Sequence, residues 1–125
     1  NLLSNLPKEI DHKIIIFGCG GDRDKTKRAK MAKIASKFTD IQIITDDNPR
    51  NENPSDIRRT LMKNSSNPIE IPSRKKAIER GVRLLKINKG ILIIAGKGHE
   101  NNQIYKNKII TFNDCLVAKS YAKYI

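Results

Sequence analysis

Lys13-Ile14-Ile15-Ile16-Phe17-Gly18-Cys19-Gly20-Gly21 is the stretch on which the fold of this chain turns. A short run of branched apolar residues suits a strand buried on both faces, and the glycines that end it supply a permissive turn. From about Lys25 to Phe38 the apolar residues Met31, Ala32, Ile34, Ala35 and Phe38 return at helical spacing among lysines, which predicts an amphipathic helix with a wet basic face. Ile41 to Thr45 then reads as a second, β-branched strand. Strand, turn, helix and strand make one unit of a parallel sheet.

The order repeats downstream. Pro54 suits the first turn of a helix running to about Lys63, and Ile69 to Ile71 reads as a brief strand. Pro72-Ser73 opens a third helix whose apolar stripe is Ala77, Ile78, Gly81, Val82, Leu84 and Leu85. Ile91 to Ala95 is a fourth strand. Beyond it, Gln103 to Tyr105 and Lys108 to Thr111 flank Lys106-Asn107 as a hairpin, and Asn113 or Asp114 caps a last helix to about Tyr124. This alternation predicts an α/β, Rossmann-like fold: a mostly parallel sheet with helices on both faces, right-handed crossovers and a C-terminal β-hairpin. Residues 1–12 stand apart as the tail of a preceding helix and a linker. The domain is then 13–125, and the chain reads as part of something longer.

At 125 residues the chain is long enough to bury one core. Its longest apolar runs, Ile14 to Phe17 and Ile91 to Ala95, are of strand length, so no signal peptide or membrane span is expected and the cytoplasm is the expected compartment. Cys19 and Cys115 lie far apart, with no Cys or His at metal-ligand spacing. Both are expected to be reduced and to bind no metal. The net charge of +12 raises a nucleic-acid reading that its distribution opposes: the lysines are scattered, tryptophan is absent, and no basic stretch is interleaved with stacking side chains. Near a cleft, the same charge would concentrate anionic nucleotides and phosphorylated substrates.

Three loops, Gly18 to Asp24, Asp46 to Asn53 and Gly96 to Asn102, are expected at the carboxyl ends of parallel strands, where open α/β sheets bind ligands. In the second, Asp47-Asn48-Pro49-Arg50 sets an acid, an amide and a guanidinium on a turn stiffened by proline, and the residue before proline, Asn48, is expected to be extended. Arg50 offers a planar fork for a carboxylate and Asp47 an acceptor for an ammonium, which are the two charges of an amino acid. Alone, the run fits a polar turn as well. The first loop carries Asp22, Arg23 and Asp24 at a helix start, with Lys25, Lys27 and Arg28 in the following turn. That pattern suits a phosphate or carboxylate, and equally an ordinary capped helix with solvated lysines. Arg23 stands where the dinucleotide fingerprint needs its third glycine, which argues against an NAD site. In the third loop Glu100 suits an ammonium, and His99 suits orienting a neighbour better than acting as a base. Cys19 reads as packing, and His12 as a residue without a role.

Three blocks carry a resemblance: Gly18-Cys19-Gly20-Gly21-Asp22-Arg23-Asp24-Lys25, Thr45-Asp46-Asp47-Asn48-Pro49-Arg50 and Ala95-Gly96-Lys97-Gly98-His99-Glu100. In this order, and spanning essentially the whole chain, they resemble the C-terminal domain of the Mur ligases, in particular the branch that adds meso-diaminopimelate in peptidoglycan synthesis. The resemblance implies an ATP-dependent amide ligation in the intact enzyme. There the D-glutamyl side chain of UDP-N-acetylmuramoyl-L-alanyl-D-glutamate becomes an acyl phosphate, which the amine of meso-diaminopimelate attacks. ATP and Mg2+ would be held mainly by N-terminal and central domains absent from this chain. The chain alone is therefore expected to be inactive, with no catalytic residue and no metal ligand of its own.

By the same resemblance, Asp47, Asn48, Pro49 and Arg50 read the diaminopimelate and Arg23 meets a substrate carboxylate. Gly96, through its backbone, and Glu100 hold an amino group, while Asp22, Lys25 and Lys27 reach the nucleotide on domain closure. Thr26 and Ala29 depart from the Gly and Pro of close relatives, which alters the first helical turn. Two alternatives stay open: a lysine-adding Mur ligase domain, from which residue 50 separates it, and a standalone basic module that binds a nucleotide or RNA.

Overall fold

The apolar run at Lys13 to Phe17 forms the centre of the sheet as β1 (His12–Phe17). In alternation follow α1 (Thr26–Phe38), β2 (Ile41–Ile44), α2 (Pro54–Lys63), β3 (Pro68–Glu70), α3 (Arg74–Ile87) and β4 (Gly90–Ile94), then β5 (Asn102–Tyr105) and β6 (Lys108–Thr111). The structure, a computed structural model, describes residues 12–21, 25–87 and 90–95, and the backbone of 102–105 and 108–111. Of the expected tail and linker at 1–12, residues 1–11 lie outside the described residues and His12 begins β1, and the last helix from Asn113 or Asp114 also lies outside them. Pro54 opens α2 behind Asn53, whose side chain accepts from the Ser55 N–H at 2.9 Å, an N-cap that ends the preceding loop.

Strands β1 to β4 pair in parallel in the order β3-β2-β1-β4, and β5 and β6 form the antiparallel hairpin. Phe17 lies opposite Ile44, and Ile16 lies opposite both Ile43 and Ile94. Because side chains alternate along a strand, Ile15 and Phe17 face one side and Ile14 and Ile16 the other. On the first side Ala32 and Ala35 of α1 and Ile57 and Leu61 of α2 cover them. Ala77, Ile78 and Val82 of α3 cover the second. The two-sided burial demanded by apolar parallel strands is met by helices on both faces.

In α1 the burial departs from the expected stripe. Ala32 and Ala35 are buried, whereas Met31 and Ile34 stay 42% and 43% exposed. The helix packs toward α2 and β2, so Met31 and Ile34 border, with Ile93 and Ala95, an open apolar groove of about 440 Å³ on the β4 side. Gln42 is a polar residue in the middle of the core and is fully satisfied: it donates to the Thr39 hydroxyl at 2.9 Å and accepts from the Asn67 N–H at 2.8 Å. Those bonds fasten the turns at the amino edge of the sheet and offset the cost of burying an amide. Among the described residues no helix is long and apolar enough to cross a membrane.

The chain steps outward from β1 to β2 to β3, then returns to β4 on the other side of β1. That reversal opens a crevice beyond the carboxyl ends of β1 and β4, the position where such sheets bind ligands. The sheet core underlies this edge, so Ile16→Ala, at a residue with no exposure, should destabilise the domain by about 2–5 kcal/mol. Urea denaturation should show a lower midpoint with an unchanged slope.

Candidate functional site

The loops after β1 and β2 meet at the carboxyl edge, backbone against backbone. A Cβ on Gly18 would lie 2.3 Å from the Thr45 carbonyl oxygen, and one on Gly21 would lie 1.6 Å from the carbonyl oxygen of Pro49. No side chain fits at either place, and main-chain atoms cannot swing aside as a flexible side chain can. The close approach lets the Gly21 N–H donate to the Asn48 carbonyl at 2.9 Å, over a fully buried Pro49.

Asn48 is not extended. Its φ is +44°, and Arg50 follows at +55°. The left-handed turn aims the Asn48 carbonyl so that it accepts from both Gly21 N–H and Arg50 Nη1, the latter at 3.2 Å. Those bonds outweigh the preference that proline imposes on its predecessor, at a residue type that tolerates this region well. Nor does Arg50 simply project from its loop. It is half-buried, and Nη1 also donates to the Gly21 carbonyl at 3.1 Å. One end of the guanidinium is thus anchored on the glycine loop, three residues along the same turn from half-buried Asp47.

Three further arginines tie the edge together, and none stands out in the sequence. Arg28, expected among solvated lysines, is only 5% exposed. It donates to both carboxylate oxygens of Glu52, each at 2.9 Å, and to the Gly20 carbonyl at 3.1 Å. Arg74, 1% exposed at the start of α3, reaches the carbonyls of Asp46 at 3.5 Å and Ala95 at 2.9 Å. Arg58 bridges Asp46 and Glu70. The one available signal was the choice of arginine in a chain where lysine is the commoner cation, since buried multidentate sites favour the guanidinium.

The structure therefore gathers Asp47, Asn48, Pro49 and Arg50 against Gly18 to Gly21. Lys25 and Lys27 are exposed at the start of α1. The expected positions Asp22, Arg23, Gly96, His99 and Glu100 lie outside the described residues. Cys19 is a buried free thiol packed 3.5 Å from the Met31 sulfur. Burial, reinforced by Asp47 and opposed by Arg28, pushes its pKa up to about 11. It is protonated at neutral pH and packs rather than attacks.

A parallel α/β sheet whose carboxyl-edge loops carry a half-buried arginine and a half-buried aspartate on one turn has the form of a ligand-binding α/β domain. The family profile described as "Mur ligase, glutamate ligase domain" matches residues 1–98, and the chain belongs to the Mur ligase family. Over 109 residues it is 53% identical to the UDP-N-acetylmuramoyl-L-alanyl-D-glutamate--2,6-diaminopimelate ligase of Rickettsia typhi, which covers 86% of this chain and 22% of that protein. Over 115 residues it is 47% identical to the Anaplasma marginale ligase of the same name, covering 87% and 24%. A solved structure of a ligase so named superposes with a TM-score of 0.86 at 32% identity, over 98% of this chain and 26% of that one. The chain spans about a quarter of the length of these relatives.

The raised Cys19 pKa has a consequence for stability. The folded state holds the thiol proton more tightly than the unfolded chain, so this contribution is complete below pH 9 and is lost as pH rises from about 9 to about 11. Denaturant midpoints measured across that window should fall more steeply in the parent than in Cys19→Ala.

Proposed function

We propose that this chain is the amino-acid-recognition domain of an ATP-dependent ligase that joins meso-diaminopimelate to UDP-N-acetylmuramoyl-L-alanyl-D-glutamate in the cytoplasmic stage of peptidoglycan synthesis. The observation that carries the reading is Arg50, held by two backbone carbonyls on the turn that also carries Asp47, at the carboxyl edge of the sheet. The family and the names of the relatives above support it. In this reading Arg50 binds the distal carboxylate of diaminopimelate and Asp47 its distal ammonium. Asn48 and Pro49 set the turn, and Arg23, Gly96 and Glu100 complete the site around the other end of the amino acid.

The activated glutamyl carboxylate is supplied on other domains. What this chain does is present the attacking amine: it clamps both ends of a flexible amino acid and so removes the freedom that would scatter the nucleophile. Lys25 and Lys27, exposed at the start of α1, have the charge to meet nucleotide phosphate, and Asp22 is assigned with them. Lysines suit phosphate rather than a cation, and no group of His, Cys, Asp and Glu fit to hold a metal gathers among the described residues. On the family relationship we assign Mg2+ to the other domains, with ATP.

Selectivity over L-lysine follows from charge pairing. Lysine has the terminal ammonium and lacks the distal carboxylate, so it leaves the outward part of the Arg50 fork without its partner. For a half-buried group already bonded through Nη1, the loss is about 2 kcal/mol, the lower end for a desolvated charge pair. This, with the diaminopimelate ligases found as relatives, favours diaminopimelate over the lysine-adding alternative.

Titration of meso-diaminopimelate into the isotopically labelled chain should move amide resonances of the loops at 18–24, 46–53 and 96–102, and L-lysine should not. Arg50→Ala should abolish those shifts while core amides stay dispersed. In the intact ligase it should raise KM for diaminopimelate at least about tenfold. Equal responses to the two amino acids would overturn the selectivity assigned to Arg50.

A further inference from the structure

We infer that Arg28 and Glu52 are positioning residues for the amino-acid site: their ion pair fixes the glycine loop against the proline loop in the geometry that aims Arg50. The inference rests on the function proposed above and adds a determinant of its specificity.

Arg28 stands on α1 and Glu52 two residues beyond Arg50, so the pair joins the segments on either side of the site. The contact is bidentate, 2.9 Å for each nitrogen, and a third bond runs from Arg28 Nη2 to the Gly20 carbonyl at 3.1 Å. Paired planar groups restrict angle as well as distance, which a single lysine contact would not. The next carbonyl along, that of Gly21, is the one that holds Arg50 Nη1 at 3.1 Å. Glu52 also closes the turn that carries Arg50, its own N–H donating to the Pro49 carbonyl at 3.1 Å. Any slip of one loop on the other therefore shifts the acceptor that orients the Arg50 fork.

The helices also have apolar packing of their own. α1 and α2 are packed by Ala32, Ala35, Ile57 and Leu61 at the sheet. A buried ion pair adds little net stability over apolar groups of the same size, although losing one partner is costly. Its distinctive contribution here is geometry at the ligand edge.

The test uses the intact ligase with Glu52→Gln, close in shape, and with the double variant Arg28→Met and Glu52→Leu, which replaces the pair by apolar side chains. The double variant removes both charges together, so its unfolding midpoint should fall less than that of Arg28→Met alone. Its KM for meso-diaminopimelate should nevertheless rise about tenfold, with kcat changed less than about threefold and the preference over L-lysine reduced by about the same factor as KM rises. Values of KM for ATP and for the UDP-linked substrate should stay as in the parent. Glu52→Gln should show the same split to a smaller degree, and it carries the test if the double variant fails to fold.

A folded variant with parental KM and preference would overturn the positioning role. So would a loss spread equally over all three substrates and tracking the unfolding midpoint, which is the pattern of general destabilisation. If the parent itself uses neither amino acid, or uses both alike, the functional reading fails before any variant is compared and the positioning role falls with it.

Discussion

Main chain lies on main chain where Gly21 meets Pro49, and the binding edge depends on that contact. A Cβ at Gly21 would come within 1.6 Å of the Pro49 carbonyl oxygen, so any other residue there would push the two loops apart. With glycine, the Asn48 carbonyl comes within reach of Gly21 N–H, the left-handed turn at Asn48 and Arg50 is held, and Arg50 finds its acceptors. Left-handed backbone at two non-glycine residues costs about 1–3 kcal/mol each, and it persists only where neighbouring contacts over-determine it. The glycine loop supplies those contacts. It acts less as a flexible wrap than as a flat surface on which the Asp47 to Arg50 turn is laid.

A parallel sheet also creates a problem at its carboxyl edge: the strands end together and their following carbonyls need donors. In this domain guanidinium groups answer it. Arg74 supplies the carbonyls of Asp46 and Ala95, Arg28 that of Gly20, and Arg50 those of Gly21 and Asn48. Leaving such groups unpaired in the interior would cost about 1–3 kcal/mol each. Arg74 links the turn at Asp46 to the end of β4, while Arg28 links the loop after β1 to the segment beyond Arg50. The charge proposed to read the substrate is thus one member of a set of arginines that builds the edge.

Much of the architecture was legible from pattern alone. The apolar runs at Ile14, Ile41 and Ile91 formed strands within a residue or so of the expected bounds. Pro54 opened α2 and the third stripe became α3, because strand and helix periods and proline at a helix start are local properties of the chain. The Asp47 to Arg50 run was conspicuous for a similar reason: it places opposite charges on one short turn. Where local rules failed, a distant partner had intervened. Proline's neighbour should have been extended, and Gly21, far away in sequence, turned it over. Met31 looked like core, and it stayed half in solvent because α1 leans toward α2.

What the sequence by itself determined is the alternation of strands and helices, the parallel sheet that follows, the places of the turns after β1 and β2 at its carboxyl edge and the family to which the chain belongs. These depend on spacing and residue type, which can be read along a line. Only the tertiary structure decided that Arg28 is buried rather than one more solvated cation, that Glu52 is its partner, and that Arg50 is anchored on the Gly21 carbonyl. Those facts depend on which side chains and carbonyls meet across separations of about twenty to thirty residues. No local preference encodes such a meeting, because it exists only once the sheet has brought the loops together.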